Sequence, residues 1–303
     1  MKRAALLLAL CASVGFAQQP GPPAPVRIGT TNVAPRVQAP TYADMYCSGF
    51  ISKQEFTRSN HIVAGAESPH QTQFNQGSIV YLEGTAYAEG ARFSVLRALH
   101  DLNRSPAFAG QMAAVSQLGQ LYAELGRVRV MAIRGKTAVA QVEHTCSEIG
   151  VGDIVVPFQE KTPVAFRGDV PFDMFPAAEG RVSARIVMAK EFDWVVGTGE
   201  KVYLSAGADK GVKVGDYFRA LRTYDPAKMD TSEALSFHAP QTDDTQQHKV
   251  SVPKSKYAEL PKRAVAQMIV LNVTPTSSTA MITYALDIVN VGDMVELEGG
   301  AQP

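Results

Sequence analysis

The chain has 303 residues, with 29 Lys plus Arg against 29 Asp plus Glu and charged residues at 19%, so its formal net charge is zero. A neutral, sparsely charged composition offers no electrostatic footprint for nucleic acid or an anionic membrane surface. Apart from the short apolar run near the N-terminus, nothing approaches the roughly 20 apolar residues that a membrane helix needs, so no transmembrane segment is expected in the mature chain.

Residues 1–17 read as a secretory signal peptide. Lys2 and Arg3 precede the apolar Ala4–Leu10, and Gly15-Phe16-Ala17 supplies small residues for cleavage before Gln18. Leu10 argues against lipid attachment at Cys11, because that position calls for a small side chain. The expected localisation is therefore the periplasm or cell envelope. Export would remove Cys11 and leave Cys47 and Cys146, and two thiols in an oxidising compartment favour a disulfide over two separate buried thiols. Residues 18–42 form a Pro-rich linker with no hydrophobic period.

A first β module is expected over 43–163. Met45, Tyr46, Cys47, Phe50 and Ile51 form its earliest segment able to pack. Ser78–Leu82 is a β-branched and aromatic run, Phe93–Ala98 alternates, and Arg127–Ile133 and Ala138–Val142 flank a hairpin turn at Arg134-Gly135-Lys136-Thr137. Met112, Val115, Leu118, Leu121, Tyr122 and Leu125 fall at helical spacing, which predicts a short helix near 111–125, with Gly119 counting against its middle. Asp153–Pro157 closes the module as a short strand.

A connector over 164–179 leads to a second β module at 180–303, which opens on the alternating Gly180–Met188 and carries a polar insert over 224–261. The second module restates the first. Tyr81–Gly90 leading to Phe93–Arg97 is echoed by Tyr203–Gly211, then Gly215-Asp216, then Phe218–Arg222. Each copy ends on a Gly-Asp pair, Gly152-Asp153 and Gly292-Asp293, preceded by Ile149 and Ile288. The fold expectation is mainly β: two tandem related small modules, barrel-like or sandwich.

Gly126–Val130 with Glu148–Pro157, and Tyr203–Arg222 with Leu260–Val270 and Ile288–Val295, carry a family resemblance. They resemble the region downstream of the LysM motif in proteobacterial LysM-containing envelope proteins, over roughly Gly77 to Glu298. Tyr203–Arg222 is also similar to small β-modules of flagellar and curli assembly factors. No LysM motif is found here, and in that family glycan binding belongs to the motif, so peptidoglycan binding does not carry over. What the resemblance implies is an envelope-associated β-scaffold.

The search for chemistry returns structure. Gly135-Lys136-Thr137 lacks the upstream glycine of a phosphate loop, since position 130 is Val. Gly207, Gly211 and Gly215, with their counterparts Gly84 and Gly90, read as turn glycines needing positive φ. Asp153, Asp216 and Asp293 beside Gly152, Gly215 and Gly292 read as turn acids that bond nearby amides rather than as a catalytic carboxylate pair. The six histidines (61, 70, 100, 144, 238 and 248) are scattered, so no metal site is expected. His144 and Cys146 share a strand face at i and i+2, which makes a Cys–His dyad conceivable, but pairing of the thiol is preferred. No cofactor and no catalytic residue is expected. The expected function is a non-enzymatic envelope protein with a structural, assembly or protein-binding role and envelope proteins as partners. The alternatives are a peptidoglycan- or glycan-binding wall module and, third, a hydrolase using an unrecognised carboxylate or Cys146–His144 site.

Overall fold

Each half of the chain is written in short β-branched and aromatic runs separated by glycine turns. In the computed structural model these runs are strands; the structure describes residues 37–68, 70–100, 105–168, 172–177, 182–222 and 260–299. The expected signal peptide, most of the linker and nearly all of the polar insert lie outside the described residues.

The first half contains α1 (Tyr42–Tyr46), β1 (Phe50–Ser52), β2 (His61–Gly65), β3 (Gln73–Phe74), β4 (Ile79–Glu83), β5 (Arg92–Leu99), α2 (Gln111–Leu118), β6 (Gln120–Arg134), β7 (Thr137–Thr145), β8 (Ile149–Gly150) and β9 (Ile154–Pro157). The second contains β10 (Ser183–Ala189), β11 (Val195–Val196), β12 (Lys201–Leu204), β13 (Tyr217–Arg222), β14 (Arg263–Val273), β15 (Ser278–Ala285), β16 (Val289–Asn290) and β17 (Met294–Leu297). Six strands close into a barrel in each half. The neighbours run β2-β4-β7-β6-β5-β9 and back to β2, and β10-β12-β15-β14-β13-β17 and back to β10. These orders coincide when β2–β9 are laid on β10–β17, down to the small ribbons β3–β8 and β11–β16.

The correspondence extends to single hydrogen bonds. Gly152 N–H donates to Ile62 O as Gly292 N–H does to Ile186 O, and Cys146 N–H donates to Leu125 O as Leu286 N–H does to Val265 O. Two barrels rather than two sandwiches are therefore what the duplicated pattern encodes. Register shifts at Val95/Leu96 and Val130/Ala132, and at Ala220/Leu221 and Gln267/Met268, add the local bend and twist that let six strands close. Inward-facing side chains fill each lumen: Val80, Leu82, Phe93, Val128 and Val142 in the first, Ile186, Leu204, Phe218, Met268 and Ile282 in the second.

The predicted helix near 111–125 is correct only to residue 118. Gly119 adopts φ 123°, and a Cβ there would lie 2.1 Å from Ser52 O. The backbone leaves the helix at that point, and Leu121 and Tyr122 pair instead with β1 and β5. Helical spacing carried across the break because Leu121, Tyr122 and Leu125 are buried by a strand that has apolar neighbours on both sides. Among the described residues no helix is long and apolar enough to cross a membrane.

Both barrels lie in one compact unit, and three segments join them. β1 pairs with β6 along one edge, while the hydroxyls of Thr274, Ser277 and Thr279 donate to Ile51 O and Gly49 O at 2.7–2.9 Å along the other. The edge is thereby closed against further pairing. α2 places Leu118 beside Ile51, Val187, Met188 and Tyr203, while Gln111 Nε2 donates to Val187 O at 2.9 Å. Just ahead of α2, Phe108 enters the core of the second barrel with the Arg185 guanidinium 4.9 Å above its ring. The described part of the connector is not a spacer. It lays Val164 on Tyr217, Ile269, Leu271 and Met281, and Arg167 stacks 4.1 Å from the Tyr217 ring. This cover is why β14 is buried on both faces.

Candidate functional sites

The repeated Gly-Asp pairs form one turn used three times. Residues 150–153, 213–216 and 290–293 each close a backbone bond from the fourth residue to the first carbonyl at 3.1–3.3 Å. The third residue is glycine at φ 86°, 89° and 113°, as a type II turn requires. The fourth is Asp153, Asp216 or Asp293, and its carboxylate accepts from the N–H of the first residue, Gly150, Lys213 or Asn290, at 2.6–2.9 Å. In the two closing turns an arginine from the neighbouring strand joins. Arg97 grips Asp153 with Nε and Nη2, both at 2.7 Å, and Arg222 Nη2 stands 3.6 Å from Asp293. The same arginines donate to Glu148 O and Ile288 O, the carbonyls that open the ribbons. The Asp153 carboxylate raises the pKa of Arg97 above its ordinary value, against the opposing effect of burial. The repeated Arg, which ends both Phe93–Arg97 and Phe218–Arg222, was visible in the sequence; its partner was not.

The remaining turn glycines divide by cause. Gly211 has φ 81° with open space around it. Gly84 has φ 139°, and a Cβ there would meet Asn60 Oδ1 at 2.2 Å, the oxygen that accepts from Thr85 N–H. Gly207 departs from the positive-φ expectation. Its φ is −133°, and it is glycine because Thr274 O, Pro275 O and Ser277 N crowd within 2.6 Å of its Cβ position.

Cys47 and Cys146 are joined in a disulfide across Cα atoms 5.4 Å apart, tying the C-cap of α1 to the end of β7. His144 Nε2 lies 3.7 Å from Cys47 Sγ. The three side chains are half-buried, and their ligand atoms all lie within 4.8 Å of one another. Sequence spacing alone missed this group, since Cys47 reaches it from 97 residues away; the signal present was the His-x-Cys pair at 144–146. Arg127 and Tyr42 border it, with Arg127 Nη1 donating to Tyr42 Oη at 2.8 Å and Nε to Glu143 at 2.9 Å.

Nearby at the seam, a cleft of about 520 Å³ draws on both barrels. Phe50 and Phe56 line it, and both pack on the ring of Tyr122 at 5.0–5.6 Å. Gln54, Gln159 and Asn272 add amides to the wall. Glu124 and Lys161 pair at 2.6 Å, and Glu124 also accepts from Gly49 N–H, so this carboxylate is committed to holding the seam. Behind it, burial drives the pKa of the Tyr203 hydroxyl well up, with Glu124 and Glu191 adding to the effect, and the hydroxyl donates to Ser48 O at 3.2 Å.

The two small ribbons share a backbone and differ in surface. Val195 on β11, with Trp194, Leu286 and Ile288 in the segments that lead into β11 and β16, is exposed, at 53, 48, 43 and 57% respectively. Their counterparts at and just ahead of β3 and β8 are Thr72, Gln73, Cys146 and Glu148, of which Gln73 Nε2 donates to Glu148 at 2.8 Å. Val196 and Val289 turn inward as Phe74 and Ile149 do.

The geometry defines a class: a tandem pair of six-stranded antiparallel barrels, stapled and sealed along a shared seam. No family model and no curated protein matches the chain.

Proposed function

We propose that this is an exported, non-enzymatic protein of the cell envelope that acts in structure or assembly by binding other proteins. The observation that carries the reading is the apolar ribbon of the second barrel. The equivalent positions in the first barrel hold Thr72, Gln73, Glu148 and the disulfide-bonded Cys146, so the fold itself does not demand that Trp194, Val195, Leu286 and Ile288 be apolar. A cluster of large exposed apolar side chains marks a contact surface. Its form, a sheet of two short strands among the described residues, suits a partner envelope protein that adds an extended apolar strand. Support for export comes from the signal-like N-terminus and the Cys47–Cys146 disulfide. Occupation of the carboxylates and arginines by turns and seam contacts favours a non-catalytic role.

The test is site-specific photocrosslinking in the native cell. A crosslinker at Val195 is expected to give a discrete envelope-protein adduct that is lost in Trp194→Asp/Ile288→Asp, while one at Gln73 gives none. Equal adducts from both positions, or a chain retained in the cytoplasm, would end the proposal.

The seam cleft favours a second reading, binding of a neutral glycan. Aromatic faces flanked by amides suit the apolar faces and hydroxyls of a sugar, and Phe50, Phe56, Gln54, Gln159 and Asn272 offer both. Co-sedimentation with purified sacculi at physiological salt, weakened by Phe50→Ala/Phe56→Ala, is the expected result. Absence of co-sedimentation removes this reading and leaves the first standing.

A further inference from the structure

We infer that Cys47, His144 and Cys146 form a three-ligand site for zinc once the disulfide between the two cysteines is opened. Tetrahedral zinc, with Zn–S near 2.3 Å and Zn–N near 2.0–2.1 Å, places a ligating nitrogen about 3.5 Å from a ligating sulfur. His144 Nε2 already stands 3.7 Å from Cys47 Sγ, and all three ligand atoms lie within 4.8 Å of one another. Only the sulfurs must move, from bonded contact to the roughly 3.8 Å separation of two thiolates on one zinc. Rotation about their Cα–Cβ bonds supplies that movement.

The backbone that carries the ligands is held independently of the disulfide. Cys47 N–H donates to Ala43 O and Cys146 N–H to Leu125 O, each at 2.8 Å, and His144 pairs with Arg127 in the β6–β7 ladder. His144 and Cys146 lie two residues apart and share a face, so a single strand end offers two ligands and the C-cap of α1 offers the third. Two thiolates and one imidazole are a soft donor set suited to zinc, and three protein ligands leave a fourth position for water. The Arg127 guanidinium beside the group is bonded to Glu143, which offsets its charge.

The chemistry balances with one co-reactant, an external dithiol. Its thiolate attacks the Cys47–Cys146 bond and its second thiol resolves the mixed disulfide. Two electrons and two protons pass to the cysteines, and the donor leaves as a disulfide. Zinc then displaces the two thiol protons and binds the neutral imidazole.

The test uses the full chain, reduced anaerobically with a small dithiol, freed of it, and titrated with Co²⁺ and then Zn²⁺. Expected are one equivalent of bound metal, a thiolate-to-cobalt charge-transfer band that Zn²⁺ abolishes, and no such band in the oxidised chain. Cys47→Ser/Cys146→Ser should lose binding. His144→Ala and His144→Gln, checked by circular dichroism for an intact strand signal, should weaken it by at least about tenfold. The inference is overturned by equal binding in the oxidised chain, by no binding in the reduced one, or by histidine variants with unchanged affinity and spectrum. It is equally overturned if the bond opens only in denaturant.

Discussion

Replacing Asp153 by alanine separates a structural turn acid from a free one. Its carboxylate is almost wholly buried and accepts three short bonds, from Arg97 Nε and Nη2 at 2.7 Å and from Gly150 N–H at 2.6 Å. Losing one partner of a fully buried ion pair costs about 3–5 kcal/mol. The Arg97 side chain is 40% exposed and recovers water, so its share must be discounted. An expected loss of about 2–4 kcal/mol follows for Asp153→Ala. Asp153→Asn, which keeps an acceptor oxygen and loses the charge, should lose about 1–2 kcal/mol. Asp216→Ala is the internal control. It removes the same turn bond, Lys213 N–H to carboxylate at 2.8 Å, from a partly exposed acid, and should cost about 0.5–1.5 kcal/mol. Urea unfolding followed by circular dichroism and by Trp194 fluorescence measures all three. If Asp153→Ala costs no more than Asp216→Ala, the arginine clasp is idle and the reading of the closing turns fails.

Opening the Cys47–Cys146 bond, which spans 99 residues of sequence, should lower stability by up to about 4–5 kcal/mol. The strand signal should survive at 25 °C, and an unchanged Tm on reduction would contradict the staple. Gly207→Ala should cost about 1–3 kcal/mol by overpacking against Thr274 and Ser277. Gly211→Ala should cost about 1–2 kcal/mol through its backbone alone. Asparagine, which tolerates the left-handed region, should rescue position 211 and not 207; equal rescue in thermal melts would refute the distinction. For Asp44, burial raises the carboxyl pKa, but hydrogen bonds from Lys201 and Thr41 outweigh it and hold the group below the usual carboxylate range. Its contribution is therefore present above the unfolded value near 3.9 and is lost as pH falls through the lower folded value. Asp44→Asn should flatten that part of the acid-unfolding profile, and an identical acid slope in the variant would refute the assignment.

The duplication was legible because turn chemistry is local. A glycine at positive φ followed by an acid that bonds its own turn leaves the same mark wherever the turn recurs, as at 152–153, 215–216 and 292–293. The helix boundary was misread because Leu121, Tyr122 and Leu125 owe their burial to distant β1 and β5, which no local period encodes. Ala264–Leu271 is buried on both faces because Val164 and its neighbours supply an outer cover, a contact that no local pattern names.

By itself, then, the sequence determined a mainly β chain, its two related halves and their turns, and favoured the pairing of Cys47 with Cys146 that the structure shows. These rest on backbone geometry, side-chain alternation and compartment chemistry, all of which act at short range or through composition. Tertiary structure alone decided that the halves close as barrels and that β1, α2 and the connector weld them. It also gave the repeated arginines their aspartates, left one of two equivalent ribbons apolar, and set His144 beside the cysteines. Each of those depends on which distant segments meet, and a one-dimensional pattern carries no information about that meeting until the chain has folded.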